Sequence, residues 1–540
     1  MHLRRFIHKQ PNSFYIPAAA LASALGLGLT PSLGPLVILL SILLLYAPIL
    51  AHRPHKKANT ALVWLTISLF GSIGRLSPTL SALSSAGPSI AILLALSAVS
   101  TALAIFTIRA EAFLRARTVC SHAALFPAIW MTLWAVVGHA PLGRLTAWSP
   151  MLGTDSYAWM APWFGAAGLD WVVAAWAVVV SQTVGVWLMG MPDSDEDEEN
   201  APSKYADTTS TWVLFGVLTL LTLPSYFVSD IPYPLAPIEN TTPLTVGCAL
   251  PSYSKFDVTR FGIDDYIKVS KTMSSTRRLC SAFQDIAGSM EQQGTYWAVS
   301  FDETLRLEDD KRISRTGIAI LEKDKPVPKF EYYKRDLVPI AESFHLTPGS
   351  SPPGIFSFNL VIQPAPGKPR QSRPITISAS ICLDYTMPNV FESLLERPTL
   401  LLAPGNTWDR TIGKRMWHEV KQRANELGTT ALWCDGGEGA VSGVAGGGYN
   451  DVTQTGAGPW TRTIGIPHPF NTKPTFYARF GSGPALALAW FAGLGMVGAV
   501  QLLVNSNAVH RATGLAQRVA RRLRPRTQPE PEPQPPLIDI

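Results

Sequence analysis

The run Ile377-Ser-Ala-Ser-Ile381-Cys382-Leu383-Asp384-Tyr385 combines an alternating apolar segment with a cysteine at its end. The alternation predicts a largely buried β-strand that stops near Cys382, where the chain turns. A cysteine on such a turn can act as a nucleophile when a neighbouring base or cation favours its thiolate. Because a free cysteine can equally be a small buried apolar residue, the interpretation depends on the charged groups that the rest of the chain brings to it.

Short apolar runs on both sides of this stretch predict further strands, and two segments show helical periodicity. The helical segments are 262–290 and 411–427, and in the second Trp417 and Val420 share one face. Strands that alternate with helices indicate an α/β fold. The predicted strands cover 244–249, 296–300, 318–321, 355–362, 375–381, 400–403 and 431–434.

The composition of the chain as a whole is that of a membrane protein. Of its 540 residues, 47% are hydrophobic and only 16% are charged, where an ordinary soluble domain has about 25%. A helix that spans a bilayer needs about 20 mostly apolar residues. We predict about eight such helices, near 15–30, 34–51, 59–74, 87–108, 119–138, 171–190, 210–229 and 484–504.

The placement of basic residues predicts the orientation of these spans. Lys and Arg cluster before the first span, after the second and fourth, and after the last, and the positive-inside rule assigns such segments to the cytoplasm. We therefore predict an integral multi-pass membrane protein whose termini are both cytoplasmic. The long polar segment between the seventh and eighth spans then faces the periplasm, or the lumen or cell exterior. Asn240 begins a glycosylation sequon on that side, so it is a candidate modification site.

These patterns divide the chain into four parts. Residues 1–231 are predicted to form an N-terminal membrane domain of about seven spans that includes the acidic loop 191–208. Residues 232–478 form the extracytoplasmic α/β domain, and 479–508 contain the last span. Residues 509–540 form a basic and then Pro-rich cytoplasmic tail.

Two further segments of the α/β domain carry charged groups of the kind that a nucleophilic cysteine needs. Trp297-Ala-Val-Ser-Phe-Asp-Glu303 is an apolar strand that ends in two carboxylates, and a carboxylate at a strand end can act as a general base. Tyr333-Lys334-Arg-Asp-Leu-Val-Pro-Ile-Ala-Glu342 places a carboxylate eight residues after a lysine. Each segment alone has an ordinary structural interpretation, and it is their combination with Cys382 that indicates catalysis.

The order Glu303, Lys334, Cys382 resembles that of the nitrilase, or carbon–nitrogen hydrolase, superfamily. The resemblance extends to the Leu-Val-Pro after the lysine, to the carboxylate two residues after the cysteine, and to Leu401-Leu-Ala-Pro-Gly-Asn-Thr-Trp408. It implies an αββα sandwich in which Glu303 is the general base, Lys334 stabilises the oxyanion and Cys382 is the nucleophile. The supporting and oxyanion residues that it implies are Glu342, Leu383 and Asp384.

Within that superfamily the span layout resembles the apolipoprotein N-acyltransferase branch, whose nitrilase-like domain lies between the seventh and eighth of eight spans. This resemblance implies transfer of a fatty acyl group from a phospholipid to an amine through a cysteine thioester. The expected partners are a phospholipid donor, an amine acceptor on a lipidated protein or small amphiphile, and membrane lipids. We expect no cofactor, no metal and no nucleic acid, because the basic residues lie beside spans and the sequence has no metal-ligand or phosphate-loop motif.

Some positions depart from that branch and keep an alternative open. Leu383 and Asp384 stand where Tyr and Glu are usual, and Lys334 follows Glu303 by only 31 positions. The changes at Leu383 and Asp384 favour a membrane-bound amidase or nitrilase that hydrolyses a small amide. A transporter is disfavoured because the spans contain few ionisable residues, and a catalytically dead scaffold because all three triad residues are present. The sequence leaves open whether Cys248, Cys280 and Cys434 form a disulfide.

Overall fold

A computed structural model describes most of the chain outside its C-terminal tail and one internal segment. The predicted helix at 262–290, the acidic residues 193–199, most of the eighth predicted span and the tail 509–540 lie outside the described residues. Those described are 6–7, 9–51, 55–82, 85–115, 122–189, 201–228, 231–249, 296–306, 312–322, 325–363, 367–437, 440–456 and 458–492.

The N-terminal part consists of apolar helices. Leu36, Leu39 and Leu40 of the second helix are fully buried, and the indole rings of Trp130, Trp134 and Trp148 pack on one another. A helix that is apolar on all sides needs a core or a lipid environment around it. The helices are α1 Pro11–Gly26, α2 Leu33–Ala51, α3 Lys56–Ser72, α4 Leu76–Leu80, α5 Ala86–Arg115, α6 His122–Val137, α7 Ala161–Met189 and α8 Ala201–Leu220.

The structure supports fewer membrane spans than the sequence predicts. Within the described residues, four helical stretches are long and apolar enough to cross a membrane: Leu33–Ala51, Lys56–Leu80, Ala86–Leu114 and Asp155–Leu188. The first predicted span falls on α1, which has 16 residues, fewer than the roughly 20 that a bilayer needs. The described residues therefore do not show eight spans. An apolar stretch of sequence can continue past the end of a helix, so it can be longer than the helix that it contains. Three shorter apolar helices coincide with other predicted spans: Ala123–Val137, Ser210–Tyr226 and Gly483–Ala492.

The C-terminal part is rich in β-sheet. Its strands form a six-stranded sheet in the order β10-β9-β8-β7-β6-β5, a three-stranded sheet β2-β3-β4 and a two-stranded sheet β1-β11. All seven predicted strands are confirmed. The strands are β1 Thr241–Cys248, β2 Tyr296–Arg306, β3 Arg312–Glu322, β4 Lys325–Tyr333, β5 Phe356–Ile362, β6 Gln371–Ala379, β7 Leu400–Gly405, β8 Thr430–Asp435, β9 Val441–Gly446, β10 Tyr449–Thr455 and β11 Trp460–Pro467.

The sheets pack face to face, with a helix on the outer side of the largest one. A shared apolar core includes Val246 of β1, Ile320 of β3 and Ile377 of β6. On the other face of the six-stranded sheet lies the predicted helix, here α9 Arg410–Leu427, which packs through Trp417 and its neighbours. The described residues therefore contain three of the four layers of the predicted αββα sandwich.

A disulfide links two of the sheets. Cys248 at the end of β1 pairs with Cys434 in β8, across a sequence separation of 186 residues and with 5.8 Å between the Cα atoms. Both cysteines also belong to the apolar core between the sheets, where Cys248 is buried and Cys434 is partly buried. Disulfides of this kind persist in oxidising compartments.

Removing this disulfide is expected to destabilise the sheet domain. A cross-link that closes so long a loop contributes about 3–5 kcal/mol to the free energy of unfolding. The double variant Cys248→Ser/Cys434→Ser should therefore unfold at a clearly lower temperature in detergent. Adding reductant should lower the unfolding temperature of the wild type but not of the double variant. Equal unfolding temperatures for the two proteins would contradict the assignment.

Buried polar contacts fix the sheet domain to the apolar helices. Arg415 of α9, ion-paired within its own helix, donates to the carbonyls of Arg144 at 2.7 Å and Leu29 at 2.9 Å. Glu426 accepts the backbone N–H of Ala166 at 2.9 Å. Because breaking one partner of a buried charged contact is strongly destabilising, these contacts hold the two parts in one arrangement.

Candidate active site

Cys382 lies on a strained turn after β6, separated from the end of that strand by Ser380 and Ile381. Its φ is 45°, a left-handed conformation that a residue other than glycine adopts only where the surroundings impose it. The residue begins the 3₁₀ turn Cys382–Thr386. Leu383 therefore lies in the first turn, where backbone N–H groups have no partner within the helix. Its position suits the predicted role of an oxyanion donor.

The buried carboxylate of Asp384 joins this turn to the lysine segment. One oxygen accepts from the Tyr332 hydroxyl at 2.7 Å and from the backbone N–H of Ile381 at 3.1 Å. The other accepts from the backbone N–H of Asp336 at 2.7 Å. Burial raises the pKa of Asp384, and these hydrogen bonds oppose that rise. Asp384 thus positions the two segments rather than meeting a substrate.

Removing this carboxylate is expected to destabilise the domain without direct loss of a reacting group. In Asp384→Ala, the buried donors that Asp384 satisfies would lose their acceptor, which costs about 3–5 kcal/mol of unfolding free energy. A matched control is Asp451→Ala, because Asp451 is half exposed in its pair with Arg462 and exposed pairs contribute about 1 kcal/mol or less. Thermal unfolding of the two variants measures the difference, and similar unfolding temperatures would contradict this role.

Lys334 is held by Glu342 beneath the loop that connects them. Its ammonium donates to both carboxylate oxygens of Glu342, at 2.6 and 2.5 Å, and the second oxygen also accepts the backbone N–H of Val338 at 2.8 Å. The Lys334 side chain is 2% exposed, and that of Glu342 is 28% exposed. The Glu342 carboxylate is therefore accessible to a substrate, whereas the Lys334 ammonium that it binds is buried.

Charges around Cys382 determine how it ionises. Burial raises the pKa of its thiol to about 11; the Lys334 ammonium lowers that pKa, while the carboxylates of Asp435, Glu342 and Asp384 add to the rise. Burial lowers the pKa of Lys334, but Cys382, when it is ionised, and the Glu342 carboxylate more than offset this effect and hold that pKa above its ordinary value. At neutral pH the resting group is therefore the thiol, and a base must remove its proton during the reaction.

The structure does not bring Glu303 to this cluster. Strand β2 continues to Arg306, and the pleat turns the Glu303 side chain toward the face that carries Tyr333. Burial, together with the Glu303 carboxylate, raises the pKa of the Tyr333 phenol to about 12. Lys334 follows Tyr333 and points to the opposite face, with Tyr332 and the apolar core. The predicted general base thus lies on the wrong side of its sheet, whereas Lys334, Cys382 and the supporting residues Glu342, Leu383 and Asp384 come together.

Asp435 is a site residue that the sequence interpretation missed. Its carboxylate accepts the backbone N–H groups of Thr407 at 2.9 Å and Gly437 at 3.1 Å and the Thr407 hydroxyl at 2.6 Å. Strands β6, β7 and β8 are mutually parallel, so the residues after them meet at one edge of the sheet. That rule, applied to the predicted strands, would have placed Asp435 and Thr407 beside Cys382.

Two further predictions concern glycosylation of Asn240 and the absence of a metal site. Asn240 is exposed on a turn before β1, so its side chain is accessible, and its glycosylation stays a prediction. In the part of the chain that the structure describes, no group of three or more His, Cys, Asp or Glu side chains could hold a metal ion.

Comparisons with known proteins give only distant matches. No protein-family model and no curated protein matches the chain. Among solved structures it is similar to a mutant of an amidase of the nitrilase superfamily from Nesterenkonia AN1, at 13% identity over 44% of this chain and 93% of that chain, with a TM-score of 0.30. It is also similar to Saccharomyces cerevisiae Nit3 of the same superfamily, at 12% identity over 42% of this chain and 92% of that chain, with a TM-score of 0.29. The C. elegans NitFhit protein is similar at 14% identity over 42% of this chain and 61% of that chain, with a TM-score of 0.27. TM-scores this low carry no argument about function, which therefore rests on the residues around Cys382.

Proposed function

We propose that this chain is a membrane N-acyltransferase of nitrilase type, which moves a fatty acyl group from a phospholipid to an amine through a thioester on Cys382. The observation that carries the proposal is the cluster itself: a strained cysteine beside a buried lysine that is paired with a partly exposed carboxylate. Nucleophile, cation and base are the three groups that acyl transfer through a thioester needs.

We assign the general base to Glu342, because Glu303 lies on the other face of its sheet. Glu342 takes the proton of the Cys382 thiol, and the sulfur attacks the acyl carbonyl carbon of the phospholipid. The Lys334 ammonium and the Leu383 backbone N–H stabilise the oxyanion. When the acyl C–O bond breaks, Glu342 returns the proton to the departing lysophospholipid oxygen, which leaves a thioester on Cys382.

The second half of the reaction uses the same groups in reverse. The amine nitrogen attacks the thioester carbonyl while Glu342 accepts one of its protons. The C–S bond then breaks, and the proton passes to the Cys382 sulfur, so that an amide leaves and the free thiol is restored. Acylation and transfer thus alternate on one cysteine, which predicts ping-pong kinetics.

Contacts between the cysteine turn and the apolar helices support a lipid substrate. Gly143, in the connection between α6 and α7, has a φ of 52°, and a Cβ atom there would lie 2.7 Å from the carbonyl oxygen of Thr386. The turn that carries Cys382 therefore rests directly on the connection that leads into α7, which belongs to one of the four helical stretches long and apolar enough to cross a membrane. This position would let an acyl donor reach Cys382 from the bilayer.

The disulfide supports the predicted compartment. A cytosolic domain is kept reduced, whereas the link between Cys248 and Cys434 needs an oxidising environment. This agrees with a sheet domain that faces the periplasm, or the lumen or cell exterior, as the distribution of basic residues predicts.

The experiment that tests the proposal follows a labelled acyl chain to its product. Full-length protein in detergent would be incubated with a phospholipid that carries a ¹³C-labelled acyl chain and with a diacylated peptide that has a free amino terminus. A labelled amide and lysophospholipid, both absent with Cys382→Ala, would support acyl transfer. Release of labelled free fatty acid alone would contradict it, as would no product that depends on Cys382.

The alternative function is hydrolysis of a small amide. Leu383 favours it, because a buried aliphatic side chain replaces the Tyr expected in the acyltransferase branch and changes the pocket wall. The same cluster would form the thioester from the amide, release ammonia or an amine, and use water as the acceptor. Cys382-dependent release of ammonia from simple amides, without any acyl amide from phospholipid, would favour this reading.

A further inference from the structure

A cavity lies between two apolar helices and is lined by residues other than those of the cysteine cluster. Its volume is about 610 Å³, within the roughly 300–1,000 Å³ typical of ligand sites. Each wall is one helical stripe, with residues spaced three or four apart. The residues that matter for the argument are Lys56, Lys57, Thr60 and Trp64 of α3 and Phe106 and Arg109 of α5.

Hydrogen bonds between the two helices fix the distance between the walls of this cavity. The Trp64 indole N–H donates to the carbonyl of Ala98 at 2.8 Å, and the Arg109 guanidinium donates to the Thr60 hydroxyl at 2.8 Å. Because these bonds lie at two levels along the antiparallel helix pair, the groove is formed before any ligand enters.

The groove is apolar along its length and cationic at one end. Phe106 is 61% exposed on one wall, and Trp64 lines the other. Lys56, Lys57 and Arg109 are exposed at the end of the groove. Among the described residues that line it, none is acidic, so the three cations have no carboxylate partner within the lining.

We propose that this groove binds one anionic phospholipid, whose phosphate lies among Lys56, Lys57 and Arg109 and whose acyl chain lies against Trp64 and Phe106. The charges select an anionic headgroup over a zwitterionic one, because each basic residue at a membrane surface attracts an anionic lipid. The apolar walls select a lipid over a free phosphate, because only a lipid has a chain to bury. The proposal is independent of the reaction at Cys382.

The test is competition between lipids on the full-length protein, read by native mass spectrometry. The protein would be exchanged into micelles with equal amounts of phosphatidylglycerol and phosphatidylcholine of the same chain length. Wild type should retain phosphatidylglycerol at least about tenfold over phosphatidylcholine. The triple variant Lys56→Gln/Lys57→Gln/Arg109→Gln should reduce that ratio to within about twofold of one.

A control variant separates this site from a general effect of charge. Arg410→Gln/Lys414→Gln/Lys473→Gln removes the same charge from exposed positions of the sheet domain and should keep the wild-type ratio. Glycerol phosphate added in excess should not displace the lipid. The proposal fails if wild type shows no preference, if both triple variants lose it equally, or if glycerol phosphate displaces the lipid completely.

Discussion

Glu342→Gln is expected to lower the rate of Cys382 acylation by about 100- to 10,000-fold, the range typical of a lost general base. The same change removes a negative charge that raises the pKa of the Cys382 thiol. Alkylation of the thiol by iodoacetamide at pH 9 should therefore become faster while acylation by a phospholipid becomes slower. A residue with only a structural role would not move these two rates in opposite directions.

Glu303→Gln is the matched variant for this experiment. Because Glu303 contacts the Tyr333 phenol on the far face of its sheet, its loss should change the acylation rate by no more than about twofold. Glu331→Gln gives a second carboxylate control, because Glu331 is exposed and, two residues before Tyr333 in β4, lies on the same face as Tyr333. A large loss in Glu303→Gln with full activity in Glu342→Gln would overturn the assignment of the base.

Lys334→Met is expected to lower the acylation rate by about 100- to 1,000-fold, because it removes a donor to the oxyanion. It also removes the cation that lowers the pKa of the Cys382 thiol, so that pKa should rise further above about 11. Alkylation at pH 9 should then slow, in contrast to its acceleration in Glu342→Gln. Methionine keeps the length and apolar stem of the buried lysine.

Folding of the Lys334→Met variant needs an independent check. Thermal unfolding should show that the sheet domain is intact, since the change also leaves the Glu342 carboxylate without its ammonium partner. If the folded variant alkylates at the wild-type rate at pH 9 and retains acylation, Lys334 does not act on Cys382.

Local sequence patterns were sufficient where function depends on one strand and the turn after it. The alternation around Ile377 predicts β6, and Cys382 lies on the turn that follows this strand. The spacing from Lys334 to Glu342 likewise belongs to one loop, whose two charged ends meet. Such features can be predicted from the sequence because they depend on residues close to one another in the chain and on few long-range contacts.

The position of Glu303 could not be obtained in this way, because it depends on strand length and pleat. Had β2 ended at Ser300, as predicted, Glu303 would have been free to turn toward Cys382. The strand instead continues to Arg306, and each residue of the continuation alternates sides. The short interval between Glu303 and Lys334 was the available warning, because it leaves room for only the β2-β3-β4 meander.

Other misses have similar long-range causes. Strand β4 contains Pro326 and Pro328, which argue against a central strand, but β4 lies at the edge of its sheet, where proline is tolerated. The disulfide joins strands from two different sheets, so only the packing of the sheets selects Cys434 as the partner of Cys248. Asp435 reaches the site because three parallel strands end at one edge.

The most direct test of the central claim is the intact mass of the protein after brief incubation with phospholipid. The account predicts a fatty-acyl mass increment on the wild type that hydroxylamine removes, that maps to the peptide containing Cys382, and that Cys382→Ala does not form. A folded protein that forms no such adduct with any phospholipid, or that carries the acyl group on another residue, would contradict it.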